Sequence, residues 1–144
     1  GCGEKTFGRE TAATTKGFVM EFIHAPKACA SVGPYSHCVK AGSTYYLCGQ
    51  VPFHPVTGEV VGNGMKEQAV QTLANMKAVL EAAGLAVTDI AKTTVFVTNM
   101  DDFAAFNEVY AAFMGEHHPA RVCVEVSNIA HGCLLEMDAI CFKE

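Results

Sequence analysis

Two charged side chains interrupt runs of otherwise strand-like, apolar residues. Arg121 lies within Ala120-Arg-Val-Cys-Val-Glu-Val126, and Glu136 follows it by fifteen positions within Leu134-Leu-Glu-Met-Asp-Ala-Ile-Cys141. Unpaired charges rarely sit inside a sheet. One explanation is structural: the two pair across the sheet or sit at a wet edge. The other is chemical. A guanidinium presents a planar fork that matches a substrate carboxylate, and a glutamate beside it can move a proton. The pattern alone leaves both open.

The remaining reactive side chains argue mostly by exclusion. Seven cysteines and six histidines are present. No Cys-x-x-Cys pair and no His-x-x-x-His pair occurs, so a dedicated metal site has little support. An odd cysteine number in a core-rich chain fits buried thiols in a reducing compartment better than a disulfide scaffold. The formal net charge of −5 and a pI near 5.6 leave no basic field for a nucleic acid backbone. No apolar run approaches the ~20 residues of a membrane helix. With 144 residues, half of them hydrophobic, the chain is one domain's worth of sequence with ample core.

Periodicity supplies the elements that must hold these side chains. Residues 1–17 are small and polar, without an apolar stretch of the secretory kind, and Glu4 and Glu10 do not suit a transit peptide. Residues 18–23 read as a first strand, and 36–40 with 44–48 as a hairpin. Residues 51–64, with two prolines and three glycines, are loop. Ala69, Leu73, Met76, Leu80 and Ala83 then mark one face of a helix, with Asn63 as N-cap and Gly84 as the glycine that ends it. Residues 90–97 form a strand. Asp101 and Asp102 open a second helix, whose apolar stripe is Phe103, Phe106, Tyr110 and Phe113. Residues 120–126 and 134–141 are the closing strands, and pattern alone pairs them with each other. Val122, Val124 and Val126 are expected to face a helix-covered core, with Arg121, Cys123 and Glu125 on the opposite face. Glu136 and Asp138 share one face of the last strand. The order β-β-β-α-β-α-β-β describes an α+β domain with both helices on one face of a mixed sheet.

Several segments together carry a resemblance. They are Gly33-Pro-Tyr-Ser36, Cys48-Gly-Gln-Val-Pro52, Thr57-Gly-Glu59, Ala82-Ala-Gly84, Lys92-Thr-Thr-Val-Phe-Val97, Asp102-Phe103 and Pro119-Ala-Arg-Val-Cys-Val-Glu-Val126, followed by Glu136. Across roughly residues 20–142 the chain resembles the RidA family, the reactive intermediate deaminases also called YjgF or L-PSP proteins. The resemblance implies a chorismate-mutase-like fold, one mixed six-stranded sheet with two helices on one face, in which another strand separates the last two. It also implies a homotrimer with clefts between subunits. Residues 1–19 are then a loose N-terminal extension or remnant and residues 20–144 the RidA-like domain.

The family hydrolyses reactive 2-imino and enamine acids, such as 2-aminoacrylate and 2-aminocrotonate, to 2-ketoacids and ammonia without a cofactor. Carried over residue by residue, Arg121 binds the substrate carboxylate and Glu136 orients the water. Tyr35, Cys48, Gly49, Asn107 and Cys123 line the cleft. Many members have serine where this chain has Cys48, and a thiol is the weaker hydrogen-bond partner. The expected location is the cytoplasm, with the mitochondrion as the alternative. Two other readings compete: an endoribonuclease or translation inhibitor, and a chaperone that holds unfolded proteins. The net charge and the lack of a base-stacking platform weigh against the first. The second rests only on surface hydrophobics and oxidisable Cys and Met residues. Membranes and nucleic acid are not expected partners.

Overall fold

The computed structural model describes residues 10–13 and 19–144. The strands are β1 (Glu10–Ala13), β2 (Val19–Ile23), β3 (Cys38–Ala41), β4 (Thr44–Gln50), β5 (Ile90–Val97), β6 (Ala120–Glu125) and β7 (Leu135–Phe142). The helices are α1 (Met65–Ala82) and α2 (Phe103–Met114). All six strands of the expected sheet are present, and β1 adds a seventh at the β2 edge, giving the order β1-β2-β3-β4-β7-β5-β6. Residues 1–9 and 14–18, with Cys2 and the start of the expected first strand, lie outside the described residues.

The last two strands are not neighbours. β5 pairs in parallel with β6 on one side and antiparallel with β7 on the other. This corrects the pairing that pattern alone suggests and agrees with the fold implied by the resemblance. The parallel β5–β6 pair needs the crossover that α2 supplies, and β7 enters the sheet between β4 and β5.

Both helices pack on one face of the sheet. Leu73, Met76, Val79 and Leu80 of α1 and Phe106 of α2 are almost wholly buried against Val95, Leu135, Met137 and Ala139. Each such side chain contributes roughly 1.5–3 kcal/mol on leaving water. Helix α1 ends as its sequence requires. Gly84 takes φ +73°, Leu85 N–H bonds the Leu80 carbonyl at 2.8 Å, and Gly84 N–H bonds Glu81 at 3.0 Å, the paired bonds of a glycine-terminated helix. Its start differs from expectation. The N-cap is Gly64, which has no side chain with which to cap, and Asn63 stands one residue too early.

The opposite face of the sheet is uncovered and apolar. Val122 and Val124 are about two-fifths exposed, and Tyr46 and Phe142 about half. This reverses the expected facing of β6. The valines look outward, while Cys123 packs against the helix-covered core. Alternation defines two faces of a strand but does not say which one a helix covers, and here α2 lies over the Arg121 side.

The six described cysteines carry free thiols. Cys38, Cys133 and Cys141 are fully buried, and burial, with smaller contributions from the neighbouring Cys141 and Cys48 thiols at Cys38 and from Asp89 at Cys141, pushes Cys38 and Cys141 up to about 12. Alkylation of the native protein followed by peptide mapping should therefore modify Cys29 and Cys123 before Cys38, Cys133 and Cys141. Early labelling of the last three would contradict the packing.

Candidate functional site

The sequence-expected site residues divide into two groups on opposite faces of the sheet. The first gathers around Glu136. Between Leu47 and Gln50 the pairing of β4 with β7 shifts register, which places Cys48 and Gly49 in a bulge. The bulge turns Gly49 onto Glu136. A Cβ added to Gly49 would stand 2.7 Å from Glu136 Oε1 and 3.0 Å from its Cδ, so only glycine permits this approach. Gln50 braces the bulge from within. Its Nε2 donates to the Cys48 carbonyl and to Cys48 Sγ, each at 3.2 Å. Tyr35, Cys48, Gly49 and Gln50 line one cleft.

The electrostatics of this half suit a base. Burial raises the Glu136 carboxyl above the ordinary carboxylate range, and the neighbouring Asp138 charge adds to the rise. A carboxylate so shifted binds a proton nearer neutrality. Burial likewise pushes the Cys48 thiol up to about 11, opposed by the Gln50 hydrogen bond and reinforced by Glu136. Cys48 is thus a neutral thiol rather than a nucleophilic thiolate.

The second group gathers around Arg121. Its Nη1 donates to Asn107 Oδ1 at 2.8 Å. The guanidinium lies over the Tyr110 ring at 4.7 Å and near the Phe103 ring at 5.3 Å. Tyr110 is itself fixed by a 2.8 Å hydrogen bond with the buried Thr93 hydroxyl. Among the described residues no carboxylate lies within ion-pair distance of Arg121, so its fork is presented and not consumed. Cys123 stands two residues on, and burial raises its thiol against the pull of Arg121.

Within one protomer Arg121 and Glu136 do not meet. Along β5, Arg121 is opposite Thr93 and Glu136 opposite Phe96. These partners are three positions apart, and an odd offset puts their neighbours on opposite faces. The simple ion pair between the two is thereby excluded inside the chain. Glu125, expected beside Arg121 on one face, is exposed and accepts the Met100 N–H at 2.9 Å, a structural task.

The sequence did not single out Gln50, Tyr110 as the guanidinium's platform, or His37. Gln50 was visible only as the third residue of Cys-Gly-Gln, and Tyr110 only as part of an apolar stripe. His37 is buried and anchors the loop that carries Tyr35. Its Nδ1 accepts the Ala25 N–H at 2.7 Å and its Nε2 donates to the Cys29 carbonyl at 2.8 Å.

A family model described as Endoribonuclease L-PSP matches residues 24–143. The chain belongs to this family. A RutC family protein of Pyrococcus horikoshii is 48% identical over 126 residues, covering 88% of this chain and all of that protein. A 2-iminobutanoate/2-iminopropanoate deaminase of Escherichia coli K12 is 45% identical over 124 residues, covering 84% of this chain and 96% of the relative. The solved structure of E. coli TdcF with bound serine superposes with a TM-score of 0.81 at 41% identity, covering 85% of this chain and 98% of that one. L-PSP membership thus agrees with the resemblance drawn from the motifs. No helix among the described residues is long and apolar enough to cross a membrane.

The His37 geometry has a measurable consequence. Burial, helped by His24 and opposed by the Cys29 carbonyl, lowers the His37 pKa below its ordinary 6.5. Below that pH the unfolded chain binds a proton that native His37 refuses, so stability should fall as pH drops from about 7 toward 5. Denaturant midpoints should show this fall in the wild type and a shallower one in His37→Asn. An identical slope in both would assign the pH dependence elsewhere.

Proposed function

We propose that this L-PSP protein hydrolyses reactive 2-imino and enamine acids to 2-ketoacids and ammonia, in a cleft completed by a second copy of the chain within a homotrimer. The observation that carries the reading is the division of the site. A carboxylate-binding Arg121 without an acidic partner faces one way, and a proton-accepting Glu136 against a glycine faces the other. A neighbouring copy that lays its Arg121 half over the uncovered face would join the two. The exposed Tyr46, Val122, Val124 and Phe142 support such burial, since a soluble protomer rarely leaves a sheet face this apolar. The deaminase named among the relatives supports the chemistry.

In this reading each side chain has one task. Arg121, held flat by Asn107 and two rings, clamps the substrate carboxylate. Proton uptake from water at the methylene carbon of an enamine, with loss of one N–H proton back to water, gives the imine, whose C=N carbon is already electrophilic. Glu136 takes a proton from water as its oxygen bonds to that carbon. Glu136 returns that proton to nitrogen, giving the carbinolamine; it then takes the hydroxyl proton and passes it to nitrogen as C=O forms and the C–N bond breaks, releasing ammonia and a ketone. Water is the only co-reactant. The gain comes from orientation and from placing a base of raised pKa beside the water. Tyr35 and Cys48 line a cleft with Gly49, the residue against which Glu136 lies, and Cys123 stands beside the arginine.

Turnover of 2-aminoacrylate generated by a pyridoxal-phosphate dehydratase, followed as ketoacid formation, tests the reading. Arg121→Ala should lower the rate on the order of 10²-fold or more, because two hydrogen bonds to a charged group contribute roughly 1.5–3 kcal/mol each and about 1.4 kcal/mol is one decade. Arg121→Lys should fail largely as well, lacking the fork. Glu136→Gln should slow turnover more than it weakens binding of 2-oxobutanoate. Near-full activity in Arg121→Ala refutes the mechanism. RNA cleavage that survives in Arg121→Ala would favour the endoribonuclease reading instead.

Two further variants probe the Glu136 half. Gly49→Ala should fold normally yet lose on the order of 10²-fold in rate, because a displacement near 1 Å of a catalytic group costs about that much. Cys48→Ser should retain or raise activity, since a hydroxyl is the stronger hydrogen-bond partner. Sedimentation should give a species near three times 15.3 kDa, and a stable, active monomer would rule out the shared cleft.

A further inference from the structure

The helix-covered face of α1 is not wholly apolar. Gln68 and Asn75 are both buried within it, at 4% and 3% exposure. Asn75 Nδ2 donates to the Val51 and Phe53 carbonyls, each at 2.9 Å, and its Oδ1 accepts from Gln71 Nε2 at 2.9 Å. Gln68 uses both ends of its amide. Its Oε1 accepts the Leu134 N–H at 2.8 Å, and its Nε2 donates to the Gly62 carbonyl at 3.0 Å. The spacing i, i+3, i+7 puts the three amides in one seam along the helix.

Burying amides is costly unless each finds partners, so the seam calls for a structural reason. The bulge supplies it. Leu47 pairs with Ala139 and Gln50 with Met137, while Cys48 and Gly49 have no partner on β7. The ladder that elsewhere fixes strand separation is interrupted where Gly49 meets Glu136. Asn75 grips the chain two residues after Gly49. Gln68 grips it two residues before Glu136. Both grips belong to one rigid helix, so the helix replaces the missing ladder.

We propose that Gln68 and Asn75 are positioning residues that set the approach of Gly49 to Glu136, and with it the aim of the Glu136 carboxylate. The proposal rests on the deaminase reading for its kinetic consequence but not for its geometry. Gln68 lies outside the cleft that Tyr35, Cys48 and Gly49 line, and Asn75 stands at the inner wall of that cleft with its amide spent on the Val51 and Phe53 carbonyls and on Gln71. They act through the backbone on either side of the bulge.

The test compares wild type, Asn75→Asp and Gln68→Met in the full chain. Asn75→Asp removes the donor at constant size, and Gln68→Met removes both amide ends at similar length. Three quantities are measured: kcat and KM on 2-aminoacrylate, the thermal midpoint, and the titration of the Glu136 carboxyl by carbon-detected NMR. In folded variants kcat should fall about 10- to 100-fold. KM should stay within about twofold, since Arg121 still holds the carboxylate. The Glu136 titration midpoint should move. An unmoved Glu136 titration, or a kcat loss that only tracks the unfolded fraction, overturns the proposal. If the wild type does not accelerate the reaction, the deaminase reading fails, and the Glu136 titration alone decides the positioning role. Should either variant not fold, Gln71→Met, which removes only the bond to Asn75, is read by the same Glu136 titration with the same two outcomes.

Discussion

Strand β5 carries β6 on one side and β7 on the other, and its side-chain alternation constrains everything the molecule can do. Thr93 and Phe96 differ by an odd number of positions, so the Arg121 and Glu136 paired with them must leave the sheet on opposite faces. No rotamer change can bring them together, because the sheet lies between. A chain that needs both groups on one ligand must borrow one of them from another copy. The apolar face that a lone protomer leaves in water follows from the same geometry: the strands that present Glu136 also present Tyr46, Val124 and Phe142.

The two halves are built by different means. On the helix side, Arg121 is held by packing: two aromatic rings, one amide oxygen, and a tyrosine tied to a buried threonine. A cation over aromatic faces keeps favourable electrostatics, and only one of its N–H donors is taken, by Asn107. On the open side, Glu136 is held by an irregularity. A regular β4–β7 ladder would place a side chain where the carboxylate now lies, and the bulge with Gly49 opens that space. The loss of ladder bonds is offset by amides from α1 and by Gln50, which stitch the irregular backbone to the core.

Burial tunes the chemistry of this second half. The carboxyl of Glu136 rises and the thiol of Cys48 stays protonated for the same reason: the charged form of each loses solvation. One environment therefore yields a better base and an unreactive thiol side by side. A thiol at position 48 gives the wall of the cleft a weaker hydrogen-bond partner than a hydroxyl would, without adding a nucleophile.

Much of this was legible in the residues themselves. The α+β class, the order of the main-domain strands, both helices and the Gly84 stop follow from local rules: period 2 for strands, 3.6 for helices, and a left-handed site that favours glycine. Arg121 and Glu136 stood out because charge inside strand-like sequence demands a reason. What local pattern could not supply was anything depending on which elements become neighbours. It paired β6 with β7, assigned the valines of β6 to the covered face, and put Asn63 rather than Gly64 at the start of α1. It had no means of seeing that Gln68 and Asn75, two polar residues on a helix, would reach chain segments on either side of a bulge. Periodicity is a property of a single element, whereas the choice of covered face, the register across β5 and the contact of Gly49 with Glu136 belong to pairs of elements. Only the folded sheet decides them.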